Sequence, residues 1–215
     1  MKNEVAMTVK EAVEFVGGFS SPSKMPCQGW SIPATACKVG SKLAQVQGSV
    51  CHDCYALKGF YRMGNVQRTL SERLQQMDSP EWVDAMVAKI KDTEKSGFFR
   101  WFDSGDLQSM AHLKKIVRIA IALPGIRFWL PTKEYSLISE YVELFGSFPS
   151  NLTVRLSAYM VDRPGPNSLA ENLGVTTSEV STQSGTCPAP SQNNKCGDCR
   201  NCWNRNVQTV VYKLH

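Results

Sequence analysis

Histidine is scarce in this chain: only His52, His112 and His215 occur among 215 residues. That argues against a His-rich zinc or non-haem iron site, which draws most of its ligands from imidazole. Residues 1–20 carry Lys2, Glu4, Lys10, Glu11 and Glu14, so no uninterrupted apolar stretch of signal-peptide type is visible. No apolar run approaches the length needed to span a bilayer, so no membrane partner is expected. Nor is there a dense Lys/Arg block interleaved with aromatics. The formal net charge of +5 permits an anionic ligand or nucleic acid without arguing for either. Together these absences predict a cytoplasmic protein in a reducing environment, with its thiols free to coordinate.

Cysteine, by contrast, is plentiful, at eight residues. Four of them form Cys187-x8-Cys196-x2-Cys199-x2-Cys202, followed by Trp203, and three more lie far upstream as Cys37-x13-Cys51-His52-Asp53-Cys54-Tyr55. Two thiolates separated by two residues can turn inward on a tight loop and grip one metal or one cluster face, while a third arrives from a neighbouring loop. The overlapping short spacings of Cys196, Cys199 and Cys202 favour a 4Fe-4S cluster over zinc, which prefers two separated pairs or Cys/His mixtures. Seven such cysteines divide most simply into three and four, hence two centres, although a single centre with several buried thiols left over is the alternative. Cys27, in Met25-Pro26-Cys27-Gln28, has no close partner and reads equally as a ligand or as a small buried hydrophobe. His52 stands between two ligand candidates and reads either as a ligand itself or as a residue that shapes the loop. A secreted disulfide scaffold is the competing account of an even cysteine count; the metal-like spacing, the missing leader pattern and a chain long enough to need no staples oppose it.

A hydrophobic content of 42% and a charged content of 20% fit one ordinary α/β domain over residues 1–215, with a Cys-rich irregular segment at 19–64 and a second at 185–205. Thr8-Val9-Lys10-Glu11 is a capping-box pattern that opens a short helix ended by Gly17-Gly18. The Pro-, Gly- and Ser-rich stretch from Phe19 to Gly64 reads as loop wrapped around something. Asn65 to Met77 reads as a helix, and Ser79-Pro80 as the N-cap and first-turn proline of another, whose apolar face is Trp82, Val83, Met86, Val87 and Ile90. Strands follow at Phe98–Phe102, Ile126–Leu130 and Leu152–Leu156, separated by helices bearing Met110, Leu113, Ile116, Val117 and Ala120, then Leu137, Ile138, Tyr141, Val142 and Phe145. This alternation predicts right-handed crossover units in a partial (β/α) barrel or a short parallel sheet. A complete eight-unit barrel needs more chain.

Ligands gather at the carboxyl ends of parallel strands. Those ends read Asp103-Ser104-Gly105-Asp106, Pro131-Thr132-Lys133-Glu134 and Ser157-Ala158-Tyr159. Asp103, Ser104, Asp106 and Lys133 are therefore the candidate cofactor-binding residues. Gly105 would allow close backbone approach to a ligand, Asp106 serves equally as a helix N-cap, and Lys133 suits a carboxylate or phosphate.

The motifs Lys24-Met25-Pro26, Ile32-Pro33-Ala34, Cys37, Cys51-x-x-Cys54-Tyr55-Ala56 with Lys58-Gly59, Arg100-Trp101-Phe102-Asp103-Ser104-Gly105-Asp106, Phe128-Trp129 with Pro131-Thr132-Lys133, and Cys196-Gly197-Asp198-Cys199-x-x-Cys202-Trp203 together carry a resemblance. From about Lys24 to the C-terminus the chain resembles a family of bacteriophage iron-sulfur gene products that is distantly radical-SAM-like. The resemblance implies a phage origin, the host cytoplasm, an iron-sulfur cluster and a barrel-like core. A radical SAM enzyme typically shows Cys-x3-Cys-x2-Cys and a Gly-Gly-Glu-type strand end; here the opening spacing differs and Ser104-Gly105-Asp106 stands at the strand end. Binding of S-adenosylmethionine is therefore open.

Three readings remain. One is a radical-SAM-like enzyme, with Cys37, Cys51 and Cys54 holding a redox-active cluster and Cys187, Cys196, Cys199 and Cys202 an auxiliary one. Another is a noncatalytic iron-sulfur protein serving electron transfer, redox sensing or architecture. The last is a structural zinc protein that binds nucleic acid or a phage component. A reductant, or a phage or host protein, is the partner the first two imply.

Overall fold

The computed structural model describes residues 7–214. In chain order the elements are α1 Val9–Val16, β1 Gly29–Trp30, α2 Lys38–Leu43, α3 Gly64–Gln76, α4 Trp82–Thr93, β2 Phe98–Trp101, α5 Met110–Ala122, β3 Arg127–Thr132, α6 Tyr135–Phe145, β4 Leu152–Ser157, α7 Asn167–Asn172, β5 Thr176–Ser181 and β6 Thr209–Lys213. The strands form one six-stranded sheet in the order β1-β2-β3-β4-β5-β6, and every neighbouring pair is parallel. Sequential order with no reversal is what repeated right-handed crossovers give when each packs on the same side. The result is an open, all-parallel α/β sheet of six strands.

Strand periodicity sorts the two faces. Phe99, Trp101, Phe128, Leu130, Leu152, Val154 and Leu156 point to one side and join the main core with residues of α1, α4, α5, α6 and α7. The alternate residues Phe98, Trp129 and Tyr212 belong to a second, smaller cluster with Cys27, Cys202 and Trp203. A parallel sheet must be covered on both faces. Here helices cover one face, and cysteine-bearing loops cover the other.

Local signals explain most boundaries. Thr8 and Glu11 close the capping box of α1, with Glu11 N donating to Thr8 Oγ1 at 3.3 Å and Thr8 N donating to Glu11 Oε2 at 2.8 Å, and Gly17 ends the helix at φ 69°. Ser79-Pro80 is not the cap of α4: the helix starts at Trp82 after Glu81, without a side-chain cap. Ser79 Oγ instead contacts the Glu81 carboxylate and accepts from Glu81 N in a preceding turn. The cap of α5 is Ser109, which accepts from His112 N, so Asp106 does not fill that role. The 19–64 segment is less irregular than expected, because it contains β1, α2 and short 3-10 turns at Ala34–Ala36, Tyr55–Leu57 and Gly59–Arg62. Among the described residues no helix is long and apolar enough to cross a membrane.

Candidate metal centres

All eight cysteines are free thiols, and the fold gathers them at two places. Cys37, Cys51 and Cys54 lie on the long β1–β2 connection, over the carboxyl ends of the strands. Hydrogen bonds from the ends of β2, β3 and β4 hold that connection there. Ile32 N donates to Ser104 O at 3.1 Å, and Ser104 Oγ donates back to Ile32 O at 3.0 Å. Gln108 Nε2 reaches Ala36 O at 3.1 Å, Val39 N donates to Glu134 Oε1 at 2.9 Å, and Val50 N donates to Tyr159 O at 2.8 Å. Cys37 begins α2. The sulfurs of Cys37 and Cys51 each lie 3.6 Å from the point where a Cβ on Gly40 would stand, and Cys37 Cβ lies 3.0 Å from it, so Gly40 lets the chain pack closely against both thiols. Burial pushes the Cys37 thiol up to about 12, with Asp106, Cys54 and Cys51 adding to the rise and Lys133 opposing it. Burial also raises the Cys51 thiol, against the pull of Lys133. Lys133 is thus the cation facing this trio.

The four strand-end candidates divide by what already holds them. Asp106 is buried and fully engaged: Oδ1 accepts from Thr132 Oγ1 at 2.6 Å and Leu107 N at 2.8 Å, and Oδ2 accepts from Lys133 N at 2.8 Å. Burial nevertheless outweighs these donors and lifts its carboxyl to about 6. Asp106 therefore latches the β2 end to the β3 end. Ser104 is tied to Ile32, as above. Gly105, at φ 80°, permits close approach of the chain itself, since a Cβ there would fall 2.8 Å from Ile32 O. Asp103 remains the more available carboxylate: Oδ2 accepts from Tyr61 at 2.8 Å, its carbonyl accepts from Tyr55, and buried Oδ1 has no partner. Beside it an open cleft of about 640 Å³ is lined by Asp53, Tyr55, Lys58, Phe60, Tyr61 and Leu214, among others. The His52 ring Nδ1 stands 3.3 Å from Ala44 O, and its backbone N–H donates to Ser49 Oγ at 3.0 Å.

The C-terminal cysteines lie over the sheet face that the helices leave free. Cys187 N donates to Val211 O at 3.0 Å and Cys196 N donates to Lys24 O at 2.9 Å. Cys202 Sγ stands 3.2 Å from the Tyr212 hydroxyl. Burial raises the Cys196 thiol, with nearby Cys187 and Cys199 contributing, and raises Cys202 to about 11. Cys27 belongs with this group rather than alone: it packs in the Trp129–Trp203 cluster, burial raises it to about 12, and Glu94, then Cys196, add to the rise. Trp203, the residue after the last cysteine, donates from Nε1 to Phe99 O at 2.9 Å and meets Phe98 and Trp129 edge-on at 5.5 and 5.3 Å.

Two arginines on this face were not singled out by the sequence. Arg155 is 0% exposed and meets only carbonyl oxygens: Asn201 at 2.7 Å, Asn204 at 2.9 Å, Thr177 at 3.0 Å and Cys202 at 3.1 Å, with Gln208 more distant. Three of those acceptors are in the cysteine loop itself. Arg100 lies over the Trp129 ring at 4.5 Å and touches Met25 Sδ at 3.4 Å, while its Nε has no partner. Charge coupling links Arg100 to Tyr55 and Asp103 on one side and to Tyr212 and Cys202 on the other, so it stands between the two cysteine groups. The salt bridges among the described residues, Lys58–Asp53 and His112–Asp78, include neither arginine. Arg155 has no carboxylate neighbour to answer its charge, and a desolvated guanidinium in that position is costly by several kcal/mol. Metal-bound thiolates carry the opposite charge, and Cys202 is where they would carry it.

Among the described residues no three His, Cys, Asp or Glu side chains converge tightly enough to close on a single metal ion. Thiolates on one zinc stand within about 4 Å of one another, given Zn–S bonds near 2.3 Å; a polynuclear cluster holds them farther apart. Both donor sets are thiol-only, with Lys133 facing the trio and Arg155 beside Cys202. Comparison with curated proteins and with solved structures returns no match. The model of the Gene product 88 family matches residues 2–205, nearly the whole chain, so the chain belongs to this family of bacteriophage gene products.

Proposed function

We propose that this phage protein is an iron-sulfur protein with two centres, one held by Cys37, Cys51 and Cys54 and the other by Cys187, Cys196, Cys199 and Cys202. The observation that carries this reading is Arg155, fully buried without a carboxylate partner and set against the thiol-only donor set at Cys202. A bound cluster supplies one-electron chemistry, and a site with three thiolates leaves one position for an outside ligand. The chain's own residues do the rest. The strand-end hydrogen bonds hold the Cys37 loop over the carboxyl ends of the strands, and Lys133 offsets negative charge at the trio. These features support a radical-SAM-like enzyme in which the cleft of Tyr55, Lys58 and Phe60 receives the substrate.

Anaerobic purification followed by iron, sulfide and zinc counts tests the metal. Iron with matching acid-labile sulfide, and a broad absorbance in the sulfide-to-iron region, is the expected outcome; stoichiometric zinc without sulfide would overturn it. Incubation with dithionite and S-adenosylmethionine then tests catalysis. Release of 5'-deoxyadenosine supports the enzyme, and an iron-loaded protein that never releases it is a noncatalytic iron-sulfur protein.

A further inference from the structure

We infer that Tyr212 is a positioning residue that sets the reduction potential of the C-terminal centre by donating its hydroxyl hydrogen to Cys202 Sγ, making this centre the easier of the two to reduce. The inference rests on the proposed iron-sulfur reading. The geometry is direct: the Tyr212 oxygen stands 3.2 Å from Cys202 Sγ, inside the range for a hydrogen bond to sulfur. Tyr212 is on β6, and its ring packs with Trp129, Trp203 and Cys202. A metal-bound thiolate has no hydrogen to give, so the hydroxyl is the donor. Reduction by an outside one-electron donor adds one electron and no proton to the centre. Its negative charge rises by one, and the Tyr212 O–H stays intact while its bond to sulfur strengthens. Hydrogen bonds to cluster sulfur and nearby positive charge both favour the reduced state. Arg155 and Arg100 lie on the same side of the sheet and act in the same direction. The Cys37 trio has a different balance, with Lys133 set against buried Asp106.

Tyr212→Phe keeps the ring and its packing and removes the donor. In a potentiometric titration of the full-length, anaerobically prepared protein followed by electron paramagnetic resonance, the reduction equilibrium of one centre should fall by threefold to tenfold, tenfold being 59 mV for one electron. The other centre should not move. Tyr141→Phe, on the helix side against Phe148, serves as the control and should leave both potentials in place. Iron content should be unchanged in both variants. Full iron with unmoved potentials in Tyr212→Phe would overturn the inference while leaving the iron-sulfur reading intact, and so would a shift equal to that of the control. Protein without iron would overturn the reading on which it rests.

Discussion

Replacing Arg155 by Met separates a structural arginine from one that answers an anionic centre. Methionine fills much of the same volume but removes the charge and all the donors. The carbonyls of Asn201, Cys202 and Asn204 lose their partner together with that of Thr177. Hydrogen bonds from a charged donor contribute about 1.5–3 kcal/mol each. Against that loss, the variant no longer buries a guanidinium that is 0% exposed, and such desolvation costs several kcal/mol. The net for breaking a buried charged network is about 3–5 kcal/mol of destabilisation. For a chain of this size that is a fall in Tm of roughly 6–20 °C. The size of the loss depends on the metal. In the iron-loaded protein the arginine's charge is answered by thiolates, so the full loss is expected, with the C-terminal iron released first. In chelated apoprotein the guanidinium has no counter-charge, and the same substitution should lower Tm by less than half as much. Differential scanning calorimetry on both forms, with iron counted before and after, gives the four numbers. An equal fall in holo- and apoprotein, or full iron with Tm within 2 °C of wild type, would refute the argument.

Other substitutions probe the remaining links. Cys199→Ala should strip iron and lower thermal stability, because metal binding contributes folding free energy; Cys27→Ala, next to the same group but supernumerary to four ligands, should keep most iron and lose about 1–2 kcal/mol of packing, both read by iron count and melting. Gly105→Ala places a Cβ at φ 80°, 2.8 Å from Ile32 O, and should cost about 2–4 kcal/mol in urea titrations, whereas a neutral result would mean that the Ile32 loop yields freely. Lys89 is buried at 4% exposure and lies 4.3 Å from the Phe19 ring centre; burial, then Arg73, lowers its ammonium to about 8. The unfolded chain therefore binds more protons between about pH 8 and 10.5, and stability from this group rises with pH across that window. Lys89→Met should gain about 1 kcal/mol at pH 7 after the lost cation–π contact, and the gain should shrink toward pH 10; a pH-independent difference would contradict it.

The helical half of the fold was legible because its signals are local. Thr8 and Glu11 announced α1, and the 3.6-residue spacing of Leu113, Ile116, Val117 and Ala120 announced α5. The strands β2, β3 and β4 were visible as compact apolar runs. Three others were not. The two residues of β1 are too short for any pattern. Strand β5 reads Thr-Thr-Ser-Glu-Val-Ser, whose small polar side chains find partners on neighbouring elements, as when Thr177 Oγ1 donates to Asn167 Oδ1 of α7 at 2.8 Å. In β6 the Val, Val and Tyr residues had only the cysteine loop beside them to suggest a partner. For the site, spacing alone named seven cysteines, of which Cys37, Cys51 and Cys54 lie near one another on the β1–β2 connection and the others near the C-terminal strand. Spacing could not place Cys27 beside Cys196, because that contact depends on Lys24 O receiving Cys196 N across the whole chain. Asp106 looked like a ligand or a cap, and its actual hydrogen bonds run to Thr132 and Lys133 on the next strand. The one clue to Arg155 was a charged residue in the middle of the apolar run Leu152–Leu156. A buried strand seldom keeps such a residue without a partner on its far face.

Iron per chain in anaerobically prepared wild type, set against a variant with Cys37, Cys51 and Cys54 all replaced by Ala, tests the two-centre claim most directly. Two independent centres predict that the variant folds, keeps about half of the wild-type iron with matching sulfide, and retains the C-terminal signal in electron paramagnetic resonance. A wild type that folds without iron, or a variant that loses all of it or none, would contradict the account.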